Sequence, residues 1–354
     1  MQYIQPRPSS IVAALYTARD LGVDCAILHG PSGCSFKHAR LLEEDGLRVL
    51  TTSLGETEII LGGQDVLVKV LIEAEERFHP TRMAVVGTCV SLIIGEDMEA
   101  AIRDSGITTP AIAIEVHAGF RENIEGVMAA LVPAAAAGWI TPDELERQRR
   151  MLDAANEVER LRGAACKSYI QPSRGDLKHV VAGRLNDCIR EGKKGIAILN
   201  AKKETAYMFA DVLLALHETW PDADITYYAN LGDAGLDKVR RDAARILAGL
   251  REGGIDPELH GALDEYGATG EAFGKILQDQ APDFAVIAGV PHAIPGEYTA
   301  GIEVFSVTNG PRQVEPLKDL GHEHVIVEVD LHPKTLGVCE IIESEFGAVI
   351  RSMR

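Results

Sequence analysis

No apolar run in this sequence approaches the roughly 20 residues that a membrane span requires. The opening Met1-Gln2-Tyr3-Ile4-Gln5-Pro6-Arg7-Pro8 lacks the apolar centre of a secretory signal, which sets the expectation of a cytoplasmic protein without a membrane partner. The six cysteines, at 25, 34, 89, 166, 188 and 339, form no CxxC pair. In a cytoplasmic setting that spacing argues against disulfides and against a local zinc knuckle. Low-complexity tracts and short-period repeats are absent. Basic charge is scarce: 35 Lys and Arg stand against 53 Asp and Glu, for a net charge of −18. So acidic a surface repels phosphate backbones, and no nucleic acid partner is expected. A phosphate-cradling GxxxxGK[ST] loop is missing as well. Its nearest approach, Gly270-Glu271-Ala272-Phe273-Gly274-Lys275, is one residue short and has neither Ser nor Thr after the lysine.

What is present is the composition of a soluble globular protein. Of 354 residues, 46% are hydrophobic and 25% charged, enough chain for two or three domains. Short apolar runs alternate with helical patterns almost throughout, the signature of an α/β fold with parallel sheets. Strands are expected at Asp24–His29, Leu47–Thr52, Met83–Gly87 and Ala111–Val116, with helices over 65–78 and 91–105. Thr141-Pro142-Asp143-Glu144 reads as a helix start, with Thr141 as cap, Pro142 in the first turn and Glu144 closing a capping box. The charged helix it opens should run to about Arg162. Further strands are expected at 195–200, 224–228, 284–288, 302–306 and 324–329. The organisation expected is a first α/β domain over 1–140, a linking helix over 141–164, and second and third α/β domains over 165–255 and 256–354.

Open α/β sheets bind ligands beyond the carboxyl ends of their strands. Two cysteines occupy such positions: Cys34, in His29-Gly30-Pro31-Ser32-Gly33-Cys34, and Cys89, in Gly87-Thr88-Cys89-Val90-Ser91-Leu92-Ile93-Ile94-Gly95-Glu96-Asp97. Glycine on each approach lets backbone come close to a bulky ligand, and a following helix N-terminus favours thiolate over thiol. Each cysteine read alone is a small buried hydrophobe; two in equivalent strand-to-helix turns are as well explained as ligands. Cys188 and Cys339 are expected in the core. His29 is expected to shape its loop, and Glu96 and Asp97 to cap or solvate a helix.

These two loops, with Thr51-Thr52-Ser53-Leu54-Gly55-Glu56, Ile59-Ile60-Leu61-Gly62-Gly63 and Gly119-Phe120-Arg121, resemble the nitrogenase component 1 family over about residues 24–121. The resemblance implies a nitrogenase component 1-like fold of repeated Rossmann-like units with parallel sheets. Relatives with two different subunits carry about three cluster cysteines per chain, one of them well before the HGP loop, where this chain has none. The pattern is most similar to the small homodimeric branch of the family, whose substrate is a nickel tetrapyrrole. The resemblance therefore implies one [4Fe-4S] cluster shared across a homodimer and held by Cys34 and Cys89 of each copy, since a cubane takes four thiolates. Cys25 remains open as a substitute ligand.

The resemblance also implies a nitrogenase iron protein-like ATPase reductase as partner, with ATP bound there and not on this chain. Electrons passed through the cluster would reduce the ring of the tetrapyrrole, and a lactam would close, in coenzyme F430 biosynthesis. Basic groups that could anchor substrate carboxylates are Lys37, His38, Arg40, His117, Arg121 and His292. The proton donors are not legible, although His292 and Tyr298 lie in a Pro- and Gly-rich loop after a strand. A non-catalytic scaffold for a cluster or tetrapyrrole, and a related tetrapyrrole reductase, remain alternatives.

Overall fold

The computed structural model describes residues 9–120, 122, 124–328 and 335–354. The chain divides into two compact units. One comprises the described residues up to Arg149 together with Leu236–Lys238, and the other comprises Arg150–Gly235 with Val239–Arg354.

The first unit is built on a four-stranded parallel sheet of β1 (Cys25–His29), β2 (Arg48–Thr51), β3 (Met83–Gly87) and β4 (Ala111–Ile114), in the order β2-β1-β3-β4. The central strands CAILH and MAVVG are buried along their whole length. Continuous apolar runs of this kind form where helices cover both faces of a parallel sheet. Those helices are α1 (Ser10–Asp20), α2 (Phe36–Glu44), α3 (Glu56–Leu61), α4 (Gln64–Phe78), α5 (Cys89–Ile94), α6 (Met98–Ser105) and α7 (Ile124–Ala136). Ser9 caps α1, its Oγ accepting from the Val12 N–H at 3.3 Å. On one face Leu67 and Leu71 of α4 and Met98 of α6 close over Cys25, Ile27, Met83 and Val85. Burying each such large apolar side chain contributes about 1.5–3 kcal/mol.

The single helix expected over 91–105 is two. Gly95, at φ +74°, ends α5 in a left-handed turn, and the Asp97 carboxylate restarts the chain as α6 by accepting from the Ala100 N–H at 2.8 Å. The expected start of α8 (Pro142–Leu161) holds in part: Thr141 Oγ1 accepts from the Glu144 N–H at 3.1 Å. The Glu144 carboxylate turns instead to Arg147 and Gln148, at 2.9 and 2.7 Å.

The second unit carries a six-stranded parallel sheet of β5 (Gly195–Asn200), β6 (Ile225–Ala229), β7 (Glu258–Leu259), β8 (Phe284–Gly289), β9 (Glu303–Thr308) and β10 (His324–Val327), in the order β10-β9-β8-β5-β6-β7. It is accompanied by α9 (Lys178–Arg190), α10 (Ala206–Thr219), α11 (Asp237–Glu252), α12 (Tyr266–Gln280), α13 (Val314–Asp319) and α14 (Glu345–Arg351). This corrects the expected separation of 165–255 from 256–354. β5 pairs with β6 on one side and with β8 on the other. Splitting the chain at 255/256 would leave the buried β5 with an open edge of unpaired backbone groups, which a strand interior does not tolerate. The near-miss to a nucleotide loop lies inside α12. A Cβ on Gly270 would stand 2.0 Å from the Ala293 carbonyl oxygen and one on Gly274 2.4 Å from the Tyr298 ring, so these glycines admit the loop after β8.

Candidate metal centre

β1 and β3 are neighbours, with His29 paired to Gly87 at their carboxyl ends. The loops that follow therefore leave one edge of the sheet side by side, one carrying Cys34 and the other Cys89. Cys34 closes a tight turn, its N–H donating to the Pro31 carbonyl at 3.1 Å, and Ser35 then takes a left-handed φ of +54° before α2 begins. Cys89 is the first residue of α5. Ser91 Oγ accepts from the Thr88 N–H at 2.8 Å, which fixes the entry to that helix.

Both thiols are partly exposed, whereas Cys25 is fully buried. Burial first, and then the neighbouring Cys89, push the Cys34 pKa up, so the two sulfurs lie close enough to repel as thiolates. The lowering expected from a helix N-terminus is not found at Cys34, which precedes the left-handed Ser35 and lies outside α2. A bound cation reverses that balance, because it favours both thiolates at once. Cys89 Sγ also accepts the Ala118 N–H at 3.3 Å, from the loop after β4.

Beneath the loops lies a buried strut that ties them together. His29 is fully buried; its Nδ1 meets Thr52 Oγ1 at 3.1 Å and its Nε2 meets Glu96 Oε2 at 3.1 Å. The other Glu96 oxygen accepts from the Gly63 N–H at 2.7 Å. Thr52 Oγ1 accepts from the Gly30 N–H at 3.0 Å, and Thr88 Oγ1 donates to the His29 carbonyl at 3.0 Å. A carboxylate on one ring nitrogen and a hydroxyl donor on the other suit the neutral imidazole with its proton on Nε2. Burial lowers the His29 pKa despite the Glu96 carboxylate. Gly30 is required by close approach: a Cβ there would lie 2.2 Å from Thr88 Oγ1. The Cys34 loop, the Cys89 helix and the Gly62-Gly63 loop are thus clamped through one histidine. Sequence reading assigned His29 only to its own loop and Glu96 to helix capping or solvation; their partnership spans 67 residues and left no local signal.

Of the other cysteines, Cys25 belongs to the same unit and Cys166, Cys188 and Cys339 to the second. Cys25 packs in the core with Ile27, Leu67 and Met83, and burial pushes its pKa up to about 11. Cys188 is buried on α9 as expected, beside Glu303 at 3.5 Å. Cys339, expected in the core, is exposed and takes an Arg245 N–H at 3.3 Å. Its neighbours Gly337 and Glu340 are exposed as well. Cys166 is partly buried, next to Lys167. Among the described residues no group of three or more His, Cys, Asp and Glu is placed to hold a metal ion.

Of the candidate anchors, Lys37 and Arg40 are exposed just past Cys34, and Arg40 pairs with Glu43. His38 is half-buried on the same helix. The His117 ring packs tilted against Phe120, centroids 4.2 Å apart, and accepts from the Gly119 N–H, in the loop whose Ala118 reaches Cys89. Arg121 lies outside the described residues. His292 belongs to the other unit, buried after β8. Sequence reading also missed the large apolar side chains exposed on the helices that flank the cysteines. Phe36 is 64% exposed on α2, Ile60 and Leu61 79% and 80% on α3, and Ile93 81% on α5.

A parallel α/β unit presenting paired cysteines from adjacent strand ends defines the class: residues 12–142 match the family of nitrogenase component 1 type oxidoreductases. Part of the nitrogenase molybdenum-iron protein alpha chain of Clostridium pasteurianum is 34% identical over 112 residues, covering 28% of this chain and 20% of that one. Much longer similarity is found to the Ni-sirohydrochlorin a,c-diamide reductive cyclase complex, component CfbD. The protein of that name from Methanosarcina acetivorans is 53% identical, covering 99% of this chain and 97% of the relative. The one from Methanothermobacter thermautotrophicus is 48% identical, covering 98% of each. The chain belongs to this CfbD family. None of the described helices is long and apolar enough to cross a membrane.

Proposed function

We propose that the protein is the catalytic component of an ATP-dependent reductive cyclase acting on a nickel tetrapyrrole, Ni-sirohydrochlorin a,c-diamide, toward coenzyme F430. The family supports the reaction, and one observation supports the way it is run. Cys34 and Cys89 stand together at one sheet edge, and no third donor accompanies them among the described residues. Two thiolates satisfy half of a cubane [4Fe-4S] cluster, so a homodimer in which each copy contributes both would complete the ligand set. When bound, such a cluster supplies one-electron transfer.

The chain's own residues have definite tasks in this reading. Cys34 and Cys89 bind as thiolates. The Ala118 N–H donates to Cys89 Sγ, a bond that steadies a ligating sulfur. His29 and Glu96 hold the spacing of the two loops. The apolar side chains on α2, α3 and α5 give surface for the second copy and for a nitrogenase iron protein-like ATPase reductase. Lys37, His38, Arg40 and His117 supply positive charge and hydrogen-bond donors for carboxylates of the substrate. ATP belongs to the reductase, since the glycines nearest to a phosphate loop are packed inside α12.

The test combines the reduced protein, its iron–sulfur ATPase, the tetrapyrrole and ATP without oxygen. ATP-dependent loss of the substrate's visible spectrum is expected. Stable binding without spectral loss would instead make the protein a scaffold.

A further inference from the structure

In the second unit the chain progresses outward from β5 in both directions, through β6 and β7 on one side and β8, β9 and β10 on the other. The reversal falls between β5 and β8, and open parallel sheets bind ligands in the crevice beyond the strand ends at such a point. That point is flanked by the turn after β5, with Asn200-Ala201-Lys202, and the loop after β8, with Pro291-His292-Ala293.

A carboxylate already stands there. Glu159, in the last turn of α8, is 7% exposed. Its Oε1 accepts from Lys202 Nζ at 2.9 Å, its Oε2 from Gln313 Nε2 at 3.2 Å, and His292 Nε2 lies 3.5 Å from Oε1. Lys202 also lies over the Tyr266 ring at 4.7 Å. Burial alone would raise the Glu159 pKa, but Lys202 and His292 hold it well below the usual carboxylate range.

The surroundings offer more polar capacity than Glu159 uses. His292 is 2% exposed; its Nδ1 makes no hydrogen bond, and its Nε2 has Glu159 Oε1 only at the 3.5 Å of an ion pair. Gln313 Oε1 and His322 Nε2 are likewise buried without a hydrogen-bond partner. Arg162 braces the loop by donating to the carbonyls of His292 and Ala293 at 3.0 and 3.1 Å. Holding α8 in place needs none of this, because a buried ion pair is often no more stabilising than apolar packing.

We propose that this buried polar cluster is an anion-binding site for a ligand carboxylate, and that Glu159 is an internal occupant which the ligand displaces. Lys202, His292 and Gln313 then turn from Glu159 to the incoming carboxylate, and the end of α8 is released. That the carboxylate is one of the tetrapyrrole's acid side chains rests on the proposed function; the site itself does not. A small free anion such as phosphate has the same chemistry for these donors.

Backbone hydrogen exchange of the full-length protein, read over residues 158–163, tests this with nickel-sirohydrochlorin a,c-diamide in one arm and inorganic phosphate in the other. Saturating tetrapyrrole is expected to raise exchange there by about fivefold, as local opening becomes easier. Glu159→Gln, which keeps the volume and removes the competing charge, is expected to bind the tetrapyrrole about tenfold more tightly, and Lys202→Met about tenfold more weakly. A tetrapyrrole that binds, as its visible spectrum reports, with exchange at 158–163 unchanged overturns the proposal and leaves the proposed function standing. A phosphate response with no tetrapyrrole binding supports the site and removes the substrate reading. No response to either anion overturns the proposal.

Discussion

His29 Nε2 and Glu96 Oε2 meet at 3.1 Å beneath the cysteine loops, one from the end of β1 and the other from just past α5. With Gly63 on the second Glu96 oxygen and Thr52 on the second ring nitrogen, every polar atom of the pair is engaged. Two loops from different strands thereby act as one rigid support, which a site with ligands from both requires.

Removing either partner leaves the other buried without its bond. His29→Ala and Glu96→Ala should each cost about 1–3 kcal/mol in urea unfolding, with a larger loss for whichever leaves a bare charge. Iron bound after anaerobic reconstitution should fall as well, although neither residue is a ligand. Unchanged iron content in a folded His29→Ala protein would mean that the loops hold their spacing without the strut.

Gly30 and Thr88 form a second tie. Gly30→Ala places a methyl 2.2 Å from Thr88 Oγ1, and overpacking of this kind costs about 1–3 kcal/mol. Thr88→Ala in the same chain should return part of that loss, read as a non-additive double-mutant cycle by thermal unfolding. Additive losses would place the damage elsewhere.

The pH dependence of stability has a sign set by His322. This residue is 1% exposed, and burial first, with His292 and Lys318 after it, lowers its pKa from 6.5 to about 4. The native state therefore binds fewer protons than the unfolded chain between those values. Its contribution, about 3 kcal/mol, is fully present above pH 6.5 and is lost as pH falls through about 4. Urea midpoints of His322→Asn should fall less steeply over that range than those of the parent. An identical slope would show that other groups carry the acid sensitivity.

Nucleotide should not bind this chain alone. Gly270 and Gly274 are consumed by packing against Ala293 and Tyr298 within the second unit. Equilibrium dialysis with ATP is expected to show no retention, and Lys275→Ala to change nothing. Saturable ATP binding that Lys275→Ala removes would overturn that expectation.

The sheets were legible because β1, β3, β5 and β8 are buried runs bounded by turns, a signal carried by consecutive residues. The cysteine pair was legible for the same reason: each follows a buried strand with glycine on the approach. Contacts between distant residues were not. Nothing near His29 announces Glu96, and nothing near Lys202 announces Glu159. The merging of the expected second and third domains was hidden too, because strand order is set by which edges need partners and not by chain proximity. Cys339 misled because it was read as lying near a terminal strand, whereas it is exposed.

The central claim is that two copies of the chain meet through Cys34 and Cys89 around one cubane. Iron per dimer, measured with electron paramagnetic resonance after anaerobic reconstitution, tests it most directly. About four irons per dimer are expected, with a cluster signal that Cys34→Ala and Cys89→Ala each abolish and Cys188→Ala leaves intact. A cluster that persists in both of the first two variants, or one carried by a monomer, would contradict the account.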